Sequence, residues 1–369
     1  EARGLARAWC ELARLRLLLD DDPPAALAAC AAALGALPPL DPRAPGDPRE
    51  PEPLRLAAQV DRAQARALGH DPEGALADES KALVELARLR RHLPPPARSE
   101  ALARLERTRA QALLLVREPL FALEAATTAQ QLLDEAGQGG APIDLALRGE
   151  LALLEARALR ELGELGEAER IADELAGAFA GELPDELLLV VVEVARLRGQ
   201  LRAAAGEPAA ALARFAEAAA LLEQGGQDFP GRWAALEQAR ARVLARQRPE
   251  EARLAFAAAR QRLEPALKAG RSDLLVPLFL LCRAELRALS ADEPAVAVRL
   301  GRAIHLARLA LGDGAPVTPH ARRAWKLLRA APAAQRALAS APAESREALA
   351  QLERALGQRL PHPLGAEDS

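Results

Sequence analysis

A short phrase returns along this chain: a turn, a small residue, an apolar residue four positions on, and another small residue three after that. It is clearest at Gly206-Glu-Pro followed by Ala211, Phe215 and Ala218, and again at Pro249 followed by Ala252, Phe256 and Ala259. Weaker copies open at Ala26, Ala75, Ala122 and Ala168. Residues at i, i+4 and i+7 share one face of an α-helix, and small side chains there let a second helix approach closely. Counted from Ala26, Ala75, Ala122, Ala168, Ala211, Ala252 and Val296, the steps are 49, 47, 46, 43, 41 and 44 residues. A period of that size predicts stacked helix pairs in place of one globular core.

Breakers and caps place the pairs. The expected helices are 2–19 with 24–37, 54–68 with 73–89, 98–116 with 119–135 and 143–162 with 165–179. Three more pairs follow: 184–204 with 208–223, 232–246 with 249–263, and 272–289 with 294–311. Pro24, Pro119, Pro208, Pro249 and Pro294 each fall in the first turn of a second helix. There the missing N–H costs nothing and the fixed φ favours nucleation. Residues 38–53 hold seven prolines among charged residues and read as a long polar loop or polyproline-like arm. The repeat array is expected over 1–315. Residues 316–369 are expected to be two or three shorter capping helices broken at Pro332 and Pro342, followed by a tail.

Composition pushes the same way. Ala, Leu, Arg and Glu dominate, and these are strong helix formers. Asn, Tyr and Met are absent, and Lys and Ile occur three times each. The scarce types share AT-rich codons, so a high-GC, bacterial genome is expected, and abundant Arg is then weak evidence for nucleic acid. A start at Glu1 without Met leads us to expect a piece of a longer protein.

Net charge is −3, but residues 1–230 carry about 26 basic against 38 acidic groups and 231–369 about 23 against 14. That asymmetry would steer an acidic partner toward the C-terminal half. Aromatics at 2% argue against a stacking platform for nucleic acid. No run reaches about 18 uncharged apolar residues, so no membrane span is expected. Cys10, Cys30 and Cys282 offer no disulfide framework and read as small packed hydrophobes in a reducing, cytoplasmic compartment.

The fifth repeat carries the fullest version of the phrase: Gly199, Gly206, Ala211, Phe215 and Ala218. That pattern resembles the tetratricopeptide repeat (TPR), with steps of 41–49 residues in place of the family's usual period of about 34. The resemblance covers about 2–311. It implies an all-α, right-handed α-solenoid of about seven elongated helix pairs with C-terminal capping helices. It also implies that first helices line a concave groove for an extended peptide. Carried over repeat by repeat, the groove positions are Arg107 and Gln111, then Glu150, Arg157 and Arg160, then Glu193, Arg196 and Gln200, then Glu237. Arg107, Arg157 and Arg196 would form a short ladder able to hold carboxylates, ending where Ala241 replaces the next arginine. The competing reading is that these arginines pair with glutamates of neighbouring helices.

Chemistry-bearing motifs are not found. There is no GxxxxGK[ST], GxGxxG after a strand, HExxH, CxxC or GxSxG, and the five histidines are scattered over turns and separate repeats. Trp233, beside Phe229 and Pro230, reads as a staple between repeats, and Trp9 and Trp325 as similar residues near the ends. The expected function is therefore a non-catalytic interaction scaffold without cofactor or metal, whose partner is a protein or peptide, acidic by preference. The alternative is the sensor or regulatory arm of a larger bacterial signalling or defence enzyme, such as a kinase, a signalling ATPase or a caspase-like protease.

Overall fold

The computed structural model describes residues 2–18, 21–37, 52–140, 142, 144–179, 184–225, 229–288, 293–311, 317–339 and 343–357. The expected proline-rich arm lies outside these residues, apart from 52 and 53, which open a helix. The tail beyond 357 lies outside them too. The fold is all-α, a TPR-like array of helix pairs, with no strand among the described residues.

The pairs are α1 (Ala2–Leu18) with α2 (Pro23–Ala36), α3 (Glu52–Leu68) with α4 (Pro72–Leu89), and α5 (Pro95–Leu115) with α6 (Pro119–Gln138). They continue as α7 (Leu145–Leu162) with α8 (Leu165–Ala178), and α9 (Leu188–Ala204) with α10 (Pro208–Gln224). Then come α11 (Pro230–Leu244) with α12 (Pro249–Lys268), and α13 (Leu275–Ala288) with α14 (Glu293–Leu311). Three shorter helices close the chain: α15 (Pro319–Arg329), α16 (Pro332–Ala339) and α17 (Ala343–Gly357). The expected bounds hold within four residues, except that α12 runs on to Lys268 with Pro265 in its last turn.

The chain divides into two compact units, Glu1–Phe229 and Pro230–Ser369. In the first, α1, α3, α5, α7 and α9 pack on one another in order as well as on their pair partners. In the second, α11 packs on α13 and α12 on α14, while α15 packs on α13, and α16 and α17 pack on α14.

One local device sets the pairs. The small residue that opens each copy of the sequence phrase is the fourth residue of a second helix: Ala26, Ala75, Ala122, Ala168, Ala211, Ala252 and Val296. None is more than 2% exposed. In the six alanine cases its N–H makes the first helical bond, donating to the carbonyl of Asp22, Asp71, Glu118, Glu164, Glu207 or Arg248. Before five of these helices the chain passes through a positive φ, at Asp21, His70, Arg117, Gly163 and Gly206. The next N–H then donates back to a carbonyl in the last turn of the first helix at 2.8–2.9 Å, as Glu118 N to Leu113 O and Glu207 N to Arg202 O. That is how a left-handed residue satisfies the orphan carbonyls of a helix end. Asp22 and Asp71 add side-chain caps to Ala25 N at 3.2 Å and Gly74 N at 3.1 Å.

Between the helices the seams are thin. Gly199 of α9 lies against the Phe215 ring of α10 so closely that a Cβ would overlap it. The spacing of Gly199 and Phe215 in sequence is thus a direct helix–helix contact in space.

Candidate ligand cleft and charged seam

Three first helices of the Glu1–Phe229 unit, α1, α5 and α7, reach the next first helix or the residue before it through polar side chains. Arg14 of α1 pairs with Asp61 of α3 at 3.3 Å. Arg104 of α5 bonds Asp144, which precedes α7, at 2.9 Å, and Arg107 of α5 bonds Glu150 of α7. Arg157 and Arg160 of α7 bond Glu193 and Gln200 of α9. Arg196 closes on Glu193 of its own helix. The result is a seam of alternating charge along α5, α7 and α9.

Apart from Glu237, the expected groove residues lie on the adjoining helices α5, α7 and α9. The structure brings Arg107, Arg157, Arg160, Arg196 and Gln200 into contact with one another's repeats, with Glu150 and Glu193 as the carboxylates between them. Gln111 is half-buried on α5. Glu237, on α11 in the other unit, is buried beside Arg240 at 3.6 Å, and burial pushes its carboxyl above the usual range. Arg107 and Arg157 pair with glutamates of the neighbouring first helix, as in the competing reading of the sequence, whereas Arg196 pairs within its own helix. Arg107 is only 4% exposed, so it belongs to the packing as much as to a surface.

At the N-terminal end of this seam lies a cleft of about 250 Å³ lined by α1, α3, α5 and the start of α7. Arg14, Asp61, Gln64, Arg104, Arg107 and Glu150 supply its polar wall, and Leu17, Ala146 and Leu147 its apolar one. Two buried carboxylates of the α3–α4 pair differ sharply. Asp78 accepts from Arg62 Nε at 2.9 Å and Nη2 at 2.8 Å, and pairs with Arg66 at 2.9 Å. Among the described residues, Asp61, 2% exposed, has Arg14 alone within ion-pair reach: Arg14 Nε lies 3.3 Å from its Oδ2 but off hydrogen-bonding geometry, and Oδ2 has no hydrogen-bond partner. Burial pushes the Asp61 carboxyl above its ordinary range, against the pull of Arg14, Arg104 and Arg107.

Asp61, Arg14, Gln64 and Arg104 were not among the expected site residues. A signal for Asp61 exists: it stands four residues after Ala57 and four before Ala65, three after buried Ala58, and so on the apolar stripe of α3. A carboxylate there must be paired, capped or protonated.

The thiols are sealed. Burial lifts Cys10 to about 11 and Cys30 and Cys282 to about 12, so at neutral pH none is the thiolate that nucleophilic chemistry needs. Trp233 lies under the Arg262 guanidinium, 4.5 Å from the ring centroid, and Trp325 meets Phe279 at 5.3 Å. Both rings are buried and serve packing. Among the described residues no group of His, Cys, Asp and Glu is placed to hold a metal, and no helix is long and apolar enough to cross a membrane.

No family model matches the chain, and no curated protein matches it in sequence. Among solved structures, the crystal structure of a Rap protein complexed with competence and sporulation factor is similar, with a TM-score of 0.42 and 12% identity. That likeness covers 96% of this chain and 100% of the other. At this level it carries no argument about function, and the fold rests on the helix pairing described above.

Proposed function

We propose that this chain is a non-catalytic interaction module that holds a protein or peptide along the row of its first helices. The observation that carries the reading is the seam itself: Arg157, Arg160 and Arg196 are held at fixed positions by Glu193 and Gln200 while remaining 17–25% exposed. Side chains ordered in advance lose little freedom on binding, and a guanidinium holding one carboxylate has five N–H donors to share. The seam lies in the acidic half of the chain, so an acidic partner is held there by the local arginine geometry and not by long-range attraction. Buried, protonated thiols suit a reducing compartment, so we place the protein in the cytoplasm.

The test is selection of peptides on the whole chain from a displayed library, followed by Arg157→Gln, Arg160→Gln and Arg196→Gln. Glutamine avoids forcing a second carboxylate against buried Glu193. Selected peptides should be rich in Asp and Glu and should bind each variant about tenfold more weakly or worse, with helicity unchanged. Unaltered binding would remove the seam from the interface. The cleft at Asp61 favours a second reading, a sensor arm that passes a ligand signal to an enzyme.

A further inference from the structure

The cleft between α1, α3, α5 and the start of α7 is a different kind of place from the seam, and a ligand held in it does not depend on the interaction role. Its lining holds three cations, Arg14, Arg104 and Arg107, against three anions, Asp61, Asp144 and Glu150. Part of that set is internally matched: Arg104 bonds Asp144 at 2.9 Å, Asp144 caps Leu147 N at 2.9 Å, and Glu150 takes Nη1 of Arg107. The remainder is not. Nε and Nη2 of Arg107 have no hydrogen-bond partner, and neither has Oδ2 of Asp61. Nε and Nη2 form the guanidinium edge that grips both oxygens of one carboxylate. Asp61 Oδ2 faces Arg14 Nε at 3.3 Å in an ion pair without hydrogen-bond geometry, so a better-aligned donor can take that place. Both residues are more than nine-tenths buried.

We propose that this cleft binds a small zwitterion of α-amino-acid size. The Nε/Nη2 edge of Arg107 grips its carboxylate, Asp61 Oδ2 accepts from its ammonium, and an apolar side chain lies against Leu17, Ala146 and Leu147. Three considerations select this ligand over others. An anion alone would leave Asp61 unmatched, and a cation alone would leave Arg107 unmatched. A ligand without net charge keeps the equal numbers of positive and negative groups in the lining. Finally, about 250 Å³ lies below the usual range for drug-sized ligands, which fits one residue and not an extended strand. The unmatched atoms each expose less than 1 Å². A ligand reaches Asp61 Oδ2 by displacing Arg14, its ion-pair partner and the most exposed of the charged lining groups at 39%.

Isothermal titration of the full chain with L-alanine, L-valine and L-leucine at millimolar concentration tests this. At least one should give saturable heat. N-acetyl-L-leucine, L-leucinamide and a tetrapeptide ending in leucine should each bind at least about tenfold more weakly than the best free amino acid. Asp61→Asn, nearly isosteric, and Arg107→Gln should each lose binding by a similar factor, with circular dichroism confirming the fold. If Arg107→Gln fails to fold, Arg14→Gln supplies the second variant and should change affinity without changing helicity. Silence from all three amino acids overturns the proposal. So does acetyl-leucine or leucinamide binding as tightly as leucine, which marks an anion or a cation site. Equal binding of the tetrapeptide makes a chain end the ligand and overturns it as well. None of these outcomes touches capture of acidic peptides by the seam, which is read at Arg157, Arg160 and Arg196.

Discussion

In the Glu1–Phe229 unit the buried carboxylate of Asp61 meets one arginine and keeps an oxygen without a hydrogen bond around a cleft. In the Pro230–Ser369 unit Glu285 of α13 lies between two: it accepts from Arg260 of α12 through Oε2, and its Oε1, which also lacks a hydrogen bond, pairs with Arg299 of α14 at 3.3 Å. The first arrangement holds a charge at the edge of an opening. The second ties three helices together. Burying charge costs several kcal/mol per ion, so such groups last only where partners, structure or a ligand offset the cost. Glu285 meets two arginines within the fold, whereas Asp61 meets one and borders a cleft.

The contrast can be broken first at its strongest point. Glu285→Ala strands Arg260, only 9% exposed, and should destabilise α12–α14 by about 3–5 kcal/mol. Asp61→Ala leaves a half-exposed Arg14 and should cost about 1 kcal/mol or less. Hydrogen exchange resolved by segment reads both, because repeat arrays open locally. Equal losses would erase the difference between the units.

Next in size is Gly199→Ala, whose added Cβ meets the Phe215 ring and should cost about 1–3 kcal/mol, with the loss of protection concentrated in α9 and α10. A neutral result would mean that the α9–α10 seam is looser than its geometry says.

A third test uses pH. Burial raises the carboxyls of Asp61, Asp71, Glu79 and Glu106 in the first unit. In the second, burial raises Glu237, while hydrogen bonds from Lys268 and Arg302 lower Glu264. A raised carboxyl makes the folded state hold more protons than the unfolded one, so its stability contribution improves as pH falls from neutrality through the raised pKa. A lowered carboxyl loses stability in acid. Protection in α3–α5 should therefore gain on α12–α14 under mild acidification, and Asp61→Asn should remove its share of the gain. Parallel profiles would argue against the contrast.

The smallest effect lies in the turns. Asp21, His70 and Arg117 hold positive φ in the first unit, while the described turns of the second use only Gly270 that way. Arg117→Gly should stabilise the α5–α6 pair by about 1 kcal/mol, read from the melting curve.

Much of this fold can be read from particular residues. Pro119, Pro208 and Pro249 stand at the first position of second helices, and Ala211, Phe215 and Ala218 are buried along the inner face of α10. These signals are local, and local physics sets them. The site is less legible because it depends on what faces a residue from another helix. Repeat spacing placed Arg107 on a first helix but could not show that Glu150 takes one of its nitrogens and leaves an edge unmatched. Asp61 sits where the period asks for an apolar residue, and such a departure has meaning only once Arg14 and Arg107 are seen around it.

The turns have a consequence beyond stability. Each of the five left-handed turns described above is closed by backbone bonds reaching back only a few residues, so no such turn depends on a distant residue when a whole pair is copied or dropped. Unequal crossing-over within a repetitive gene would then yield chains that still fold. Descendants of this gene should differ by entire pairs more readily than by single helices, with inheritance counting in units of the turn.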